Sequence, residues 1–283
     1  MEKQKRVLAI HDISCVGRCS LTVALPILAA AGADCAVMPT AILSTHTGGF
    51  TGFTFRDLTA DMLPVARHWK DLDLRFDAIY TGYLGSSEQI DIVKEIIDMF
   101  RTDETTVLVD PAMADNGKLY TSFSEDFPML MRSLCSKADI VIPNFTEAAL
   151  MLGEPYHEPP YTEEYIEKAV IRLRDELGVP CAVLTGTDTG DGQLGAISYD
   201  GKEISRAGAG KIDGYFHGTG DVFGSAFLAG VINGLDMRES MRLACDYTRE
   251  CIRRTVELGQ EERYGVCFEK VLPMLIERIA GNV

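Results

Sequence analysis

The feature that most narrows what this chain can fold into is a rhythm. Short, continuous apolar runs rich in β-branched residues alternate with longer stretches of helical spacing. RVLAIHD (6–12), DCAVMPTAIL (34–43), DAIYTGYLG (77–85), TTVLVDPAM (105–113), DIVIPN (139–144) and CAVLTGT (181–187) read as strands. Their apolar residues are consecutive, as expected for strands buried on both faces. Residues 20–31, 87–101 and 161–177 read as helices between them. In EEYIEKAVIRLRDEL, Ile166, Val170, Leu173 and Leu177 recur at three and four residues and make one buried stripe. This alternation predicts an α/β fold: a mostly parallel sheet with helices on both sides. QLGAISYDGKEISRAG (193–208) breaks the rhythm and reads as an antiparallel hairpin around Asp200-Gly201. After Gly218 the chain reads as wholly helical. With no internal repeat, low-complexity tract or linker, residues 1–283 read as one domain.

The 283 residues are 46% hydrophobic and 24% charged, which supports a substantial core. A net charge of −15 argues against a nucleic-acid backbone or an anionic membrane as partner. It does not argue against a phosphate held by backbone dipoles. The eight cysteines lie mostly in apolar segments without a C-x-x-C pair, so reduced thiols are expected. His11 and His217 lack partners at metal-ligand spacing. The N-terminal apolar run is too short for a signal sequence, and the longest uncharged stretch (20–33) is too short to span a bilayer. A soluble, cytoplasmic protein acting on a small molecule is expected.

In open α/β sheets, ligands bind beyond the carboxyl ends of the strands. The residues there are polar: His11-Asp12, 44–47, 81–83, Asp110 with Asp115, Asn144 with Glu147, and 185–187. GTGD (218–221) then opens a small and apolar helical run. Gly218 and Gly220 permit close approach of a ligand, and the N–H groups of a helix start suit a phosphate. Phosphoryl transfer needs such donors together with a group that takes the proton of the attacking hydroxyl. Asp221 suits that task; it equally suits an acid placed by the helix dipole in a first turn. Asp110, Asp115 and Glu147 would converge from neighbouring strand ends, as carboxylates serving nucleotide-bound Mg²⁺ do, mostly through water. Read singly, Asp110-Pro111 is a turn that stops a strand and Glu147 an exposed first-turn residue. THTGGFTG (45–52) reads as a glycine-rich flap, with His46 over a substrate or bonded to the loop backbone. GQEERYG (259–265) reads as a solvated loop.

Taken together, these residues resemble the pyridoxal kinase family of the ribokinase superfamily over essentially the whole chain. The matching pieces are AIHDISCVG (9–17), STHTGG (44–49), TGYLGSSEQ (81–89), DPAMAD (110–115), PNFTE (143–147), VLTGTD (183–188) and GTGDVF (218–223). TGYLGSSEQ and the GTGD helix start are the most specific. The resemblance implies a ribokinase-like three-layer α/β/α domain without a separate lid domain. It implies an ATP-dependent kinase acting on the 5′-hydroxymethyl group of a B6 vitamer, working as a homodimer. Asp221 would be the base, and Gly218, Thr219 and Gly220 the anion hole. Asp110, Asp115 and Glu147 would serve ATP and its Mg²⁺. Asp110, Ile142 and Thr185 would lie near a possible monovalent cation such as K⁺. Thr185 and Gly186 would line the nucleotide site, and Asp12, Thr47 and Tyr83 would face the substrate.

Two departures bear on the substrate. Asp12 stands where the family usually has a serine, and Cys19 and Ser20 replace a usual Gly-Asn pair. A carboxylate at position 12 suits a protonated ring nitrogen or an exocyclic amine, as in pyridoxamine or an aminopyrimidine; it also suits a turn cap. A hydroxymethylpyrimidine or phosphomethylpyrimidine kinase is therefore the alternative reading, and a non-catalytic vitamin-binding protein of the same fold the third.

Overall fold

A computed structural model describes residues 3–281. In chain order the elements are β1 (Arg6–Ser14), α1 (Leu21–Ala30), β2 (Asp34–Leu43), β3 (Phe55–Asp57), α2 (Thr59–Asp71), β4 (Ala78–Thr81), α3 (Ser87–Phe100) and β5 (Thr106–Val109). There follow β6 (Ala114–Asp115), β7 (Lys118–Leu119), α4 (Phe127–Cys135), β8 (Ile140–Val141), α5 (Phe145–Leu152), α6 (Glu163–Leu177) and β9 (Cys181–Thr187). The chain ends with β10 (Gln193–Tyr199), β11 (Ile204–Gly210), α7 (Thr219–Ile232), α8 (Met237–Glu257) and α9 (Leu272–Ala280).

One nine-stranded sheet runs β11-β10-β9-β8-β5-β4-β1-β2-β3. From β9 to β2 every pairing is parallel; β10, β11 and β3 are antiparallel additions at the two edges. Side chains alternate across the strands, so both faces need cover. Leu8, Ile10, Ile79 and Val109 pack under helices α2 to α6. Val7, Ala78, Tyr80 and Leu108 pack under α1, α7, α8 and α9. That is the three-layer arrangement expected from the apolar runs. The stripe of α6 buries Ile166, Val170, Leu173 and Leu177, and the helix is bounded by a Thr162 cap and a left-handed Gly178. All eight cysteines are free thiols. Among the described residues no helix is long and apolar enough to cross a membrane.

Several boundaries differ from the sequence expectation, each for a local reason. β1 runs on through Asp12 to Ser14, with a register slip against β2 between His11 and Ile13. Such irregularities re-aim side chains at strand ends. β4 stops at Thr81, with one further main-chain bond from Gly82 N–H to the Ile10 carbonyl, and the loop beyond is held by a side chain. Gln89, fully buried, accepts from Gly85 N–H at 2.8 Å and donates to the Thr40 carbonyl and the Thr59 hydroxyl. This glutamine clamps the TGYLGSSEQ loop to β2 and α2. The segment after Gly218 is not wholly helical, since residues 259–271 form an irregular crossing between α8 and α9. β3 and the β6–β7 hairpin, absent from the sequence reading, are too short to leave a periodic signal.

Gln89→Ala would strand a buried N–H, a carbonyl and a hydroxyl. It is expected to lower unfolding free energy by about 2–4 kcal/mol, read as a shift in urea midpoint at constant m-value.

Candidate active site

The carboxyl ends of the parallel strands open on one cavity of about 710 Å³. Asp12 reaches it from β1, Thr47 from the 44–54 flap, and Tyr83 from beyond β4. Asp110 and Asp115 line it beyond β5, and Ile142 and Glu147 around the start of α5. Thr185 and Gly186 enter from β9, and residues 218–221 from the head of α7. The residues singled out from the sequence thus share a single space.

Gly218 sets the geometry of the α7 head. Its φ is 76°, and a Cβ there would lie 2.0 Å from the Arg18 carbonyl oxygen. Only glycine tolerates both conditions. No side chain caps this helix start, which leaves first-turn N–H groups for an anion. The Thr219 hydroxyl donates to the Phe216 carbonyl, so this residue serves the cradle through its backbone.

Asp221 opens on the cavity but sits deep in it, crowded by Asp12 and by the chain before α1. Burial pushes its carboxyl up to about 7; the backbone N–H of Ser20 pulls it down, and the Asp12 charge pushes it up further. Ser20 can reach it because its backbone is left-handed, with φ 55° and ψ −130°. A non-glycine residue there stores strain, and strain of this kind collects at functional sites. Asp12 is almost fully buried and accepts from the Ser14 hydroxyl at 3.1 Å and from the Ser20 side chain. Burial raises its pKa and these two hydroxyls oppose the rise.

Glu147 is buried, not an exposed first-turn residue. Its two carboxylate oxygens accept from Met113 N–H at 3.1 Å and Asn144 N–H at 2.9 Å, and Asn144 returns the bond in a capping box. Asp115 accepts from Asn116 and from the Tyr215 hydroxyl. Among the described residues, no three His, Cys, Asp or Glu side chains could hold a metal ion together. Asp110, Asp115 and Glu147 nevertheless line the same cavity, with Glu147 held by the backbone N–H groups of Met113 and Asn144. Asp110 remains directed at the cavity, its pKa raised by burial and by the charges of Glu147 and Asp221.

The GQEERYG segment meets the flap at His46, which lines the cavity, so it is not merely a solvated loop. Gly48 N–H donates to His46 Nδ1, which leaves Nε2–H to donate to the Arg263 carbonyl. Phe50 packs edge-on against Tyr264, with the Arg263 guanidinium over both rings. His46 therefore does bond loop backbone, while also lining the cavity. The sequence reading missed Ser14, Ser20, Lys211 and Arg249 at the rim. Lys211 pairs with Asp188 at 2.7 Å, and Arg249 donates to the Gly210 carbonyl. Ser20 left one trace, its place in the departure from the Gly-Asn pair; Arg249, on a charge-rich helix, left none.

An uncapped helix head, a raised carboxyl beside it and a cavity above parallel strand ends suit the transfer of a phosphoryl group to an alcohol. The phosphomethylpyrimidine kinase family profile matches residues 25–265, and the chain belongs to that family. A Bacteroides thetaiotaomicron protein assigned as a phosphomethylpyrimidine kinase, in a crystal form with pyridoxal, is 36% identical. It superposes with a TM-score of 0.91, covering 96% of each chain. The pyridoxal kinase of Lactobacillus plantarum is 29% identical, with a TM-score of 0.88 over 99% of this chain and 98% of that one. A Caenorhabditis elegans protein assigned as a pyridoxal kinase is 31% identical, over 64% of this chain and 57% of its own length.

A carboxyl raised in the fold favours the folded state below its unfolded pKa, and that advantage is lost as pH rises through the folded value. Asp221→Asn is therefore expected to raise Tm relative to wild type above pH 7, with the difference vanishing below pH 4. Parallel melting curves at pH 4, 6 and 8 check it.

Proposed function

We propose that this protein is an ATP-dependent kinase, built as one domain, that phosphorylates the 5′-hydroxymethyl group of a B6 vitamer. The observation that carries the reading is Asp221, with its carboxyl raised to about 7, beside the uncapped α7 head. A base poised near the working pH takes the proton of the attacking hydroxyl most effectively. The N–H groups of residues 218–221 meet the charge of the transferred phosphoryl group. Asp12, Thr47 and Tyr83 face the acceptor ring, and Thr185 and Gly186 the nucleotide.

Mg²⁺, when bound, neutralises charge on the nucleotide phosphates. Asp110 and Asp115 would hold its waters, with Glu147 contributing field. Asp110 fits this role because its raised pKa is relieved by a cation. A monovalent cation beside Asp110, Ile142 and Thr185, a homodimer and a cytoplasmic location complete the proposal.

Pyridoxal in the 36%-identical Bacteroides crystal form favours the B6 side. The family match and the carboxylate of Asp12 favour, as second reading, a hydroxymethylpyrimidine or phosphomethylpyrimidine kinase. A coupled assay of ADP release over pyridoxal, pyridoxine, pyridoxamine, hydroxymethylpyrimidine and its monophosphate separates them. Turnover of a B6 vitamer is expected; turnover of the pyrimidines alone reverses the choice. Asp221→Asn is expected to lower kcat by about 10²–10⁴-fold with little change in KM for ATP.

Asp12→Ser is expected to shift the pyridoxamine-to-pyridoxal ratio of kcat/KM toward pyridoxal by about tenfold, the worth of one charge-assisted contact. An unchanged ratio removes Asp12 from substrate recognition.

A further inference from the structure

Below Asp221, on the core side, lies a group of polar atoms that the proposed reaction does not use. Ser225 stands one turn along α7, at the spacing that puts two side chains on one helix face. Its hydroxyl, the Tyr80 hydroxyl and both ring nitrogens of His11 are completely buried. None has a hydrogen-bond partner among the protein's own atoms. The His11 and Tyr80 rings meet edge to face at 4.5 Å. Ser225 Oγ approaches the Tyr80 hydroxyl without the geometry of a direct bond.

Two glycines make room for this cluster. A Cβ on Gly224 would lie 2.4 Å from the Tyr80 hydroxyl, and one on Gly82 would lie 2.3 Å from His11 Nδ1. Neither glycine has a positive φ, so space for the polar side chains, not backbone conformation, is what each supplies. Burial also holds His11 neutral, with its pKa pushed down to about 3. A neutral imidazole keeps one donor and one acceptor nitrogen. Buried polar groups are nearly always hydrogen-bonded, and an internal water needs two to four polar partners. Ser225 Oγ, Tyr80 Oη and the two His11 nitrogens are four such atoms without a partner.

The cluster lies within electrostatic reach of the site. The Tyr80 hydroxyl feels the charges of both Asp110 and Asp221. Asp110 beyond β5, Asp12 on β1 and Cys19 ahead of α1 also face Asp221, together with the Ser20 N–H. The Ser20 N–H favours the charged form of Asp221 from the side of the chain before α1.

We propose that Tyr80, Ser225 and His11 hold ordered water beneath Asp221, and that this water hydrogen-bonds the carboxylate from the core side and fixes its orientation. The three are positioning residues: they touch neither substrate nor nucleotide. A carboxylate held on two sides presents one oxygen to the acceptor hydroxyl. One held by Ser20 alone can rotate away. The proposal rests on Asp221 as the base.

The test combines kinetics with a crystal structure. Tyr80→Phe keeps the ring and removes the hydroxyl. Its kcat is expected to fall about tenfold, equivalent to about 1.4 kcal/mol of barrier, with KM for acceptor and ATP within twofold of wild type. Gly224→Ala, which keeps every hydroxyl but pushes the Tyr80 hydroxyl out of its place, is expected to do the same. Ser225→Ala gives a milder version should either fail to fold. A crystal structure of the wild-type protein at high resolution should show water within hydrogen-bond distance of Tyr80 Oη and Ser225 Oγ. A dry cluster, or variants with lowered Tm and unchanged kcat, would overturn the proposal. Should Asp221→Asn retain turnover, the base assignment falls, while the crystallographic result still decides whether the water is there.

Discussion

The geometry of the site rests on a contact between two stretches of backbone. Gly218 lies so close to the Arg18 carbonyl that no side chain fits between them. The same carbonyl is pressed from the other side by Gly265, and Arg18 N–H donates to the Tyr264 carbonyl at 2.9 Å. The loop from β1 to α1 is thus gripped between the α7 head and the crossing from α8 to α9. That grip brings Ser20 onto Asp221 in a backbone conformation that a free serine would avoid. It also fixes the crossing over which His46 and Phe50 of the flap close. Pieces far apart in sequence become one rim because two glycines let main chain meet main chain.

Electrostatics follow from that packing. Asp12, Asp110, Glu147 and Asp221 share one poorly hydrated space, and burial raises every one of their pKa values. What distinguishes them is the donors each has been given. Glu147 has two backbone N–H groups and closes a capping box. Asp12 has two serine hydroxyls, and Asp221 one backbone N–H. Asp110 has no such donor among the described residues, and burial with the charges of Glu147 and Asp221 pushes its pKa well up, so it is the carboxylate with most to gain from a cation.

Much of this was legible in the sequence. The strands DCAVMPTAIL and CAVLTGT match β2 and β9 residue for residue, because runs buried on both faces carry an unmistakable signal. The rim residues followed from the rule that ligands sit beyond strand ends. What stayed hidden depended on tertiary contact. Nothing in NFTE says that Glu147 turns back onto the backbone of Met113. Nothing in GQEERYG says that its carbonyls meet a histidine from residue 46. Gln89 was visible as part of a motif, but its work as a clamp needs the positions of Thr40 and Thr59. Ser20 is the sharpest case, since its role lies in a backbone angle that its identity argues against.

An acidic chain that binds a nucleotide must meet phosphate charge from somewhere. Lys211 and Arg249 are the lysine and arginine lining the cavity, and both are already engaged, by Asp188 and by the Gly210 carbonyl. On the proposed reading the attraction comes from groups without formal charge, the N–H dipoles at the α7 head, and would be completed by a metal ion among the carboxylates. This division has a mechanistic advantage. Dipoles fixed by Gly218 need no reorganisation as charge builds on the transferring group, whereas a flexible lysine must be drawn in and ordered. It also explains why acids can crowd the same space. Each carboxylate repels the phosphates, and on the proposed reading each would also strengthen the hold on a metal that screens them.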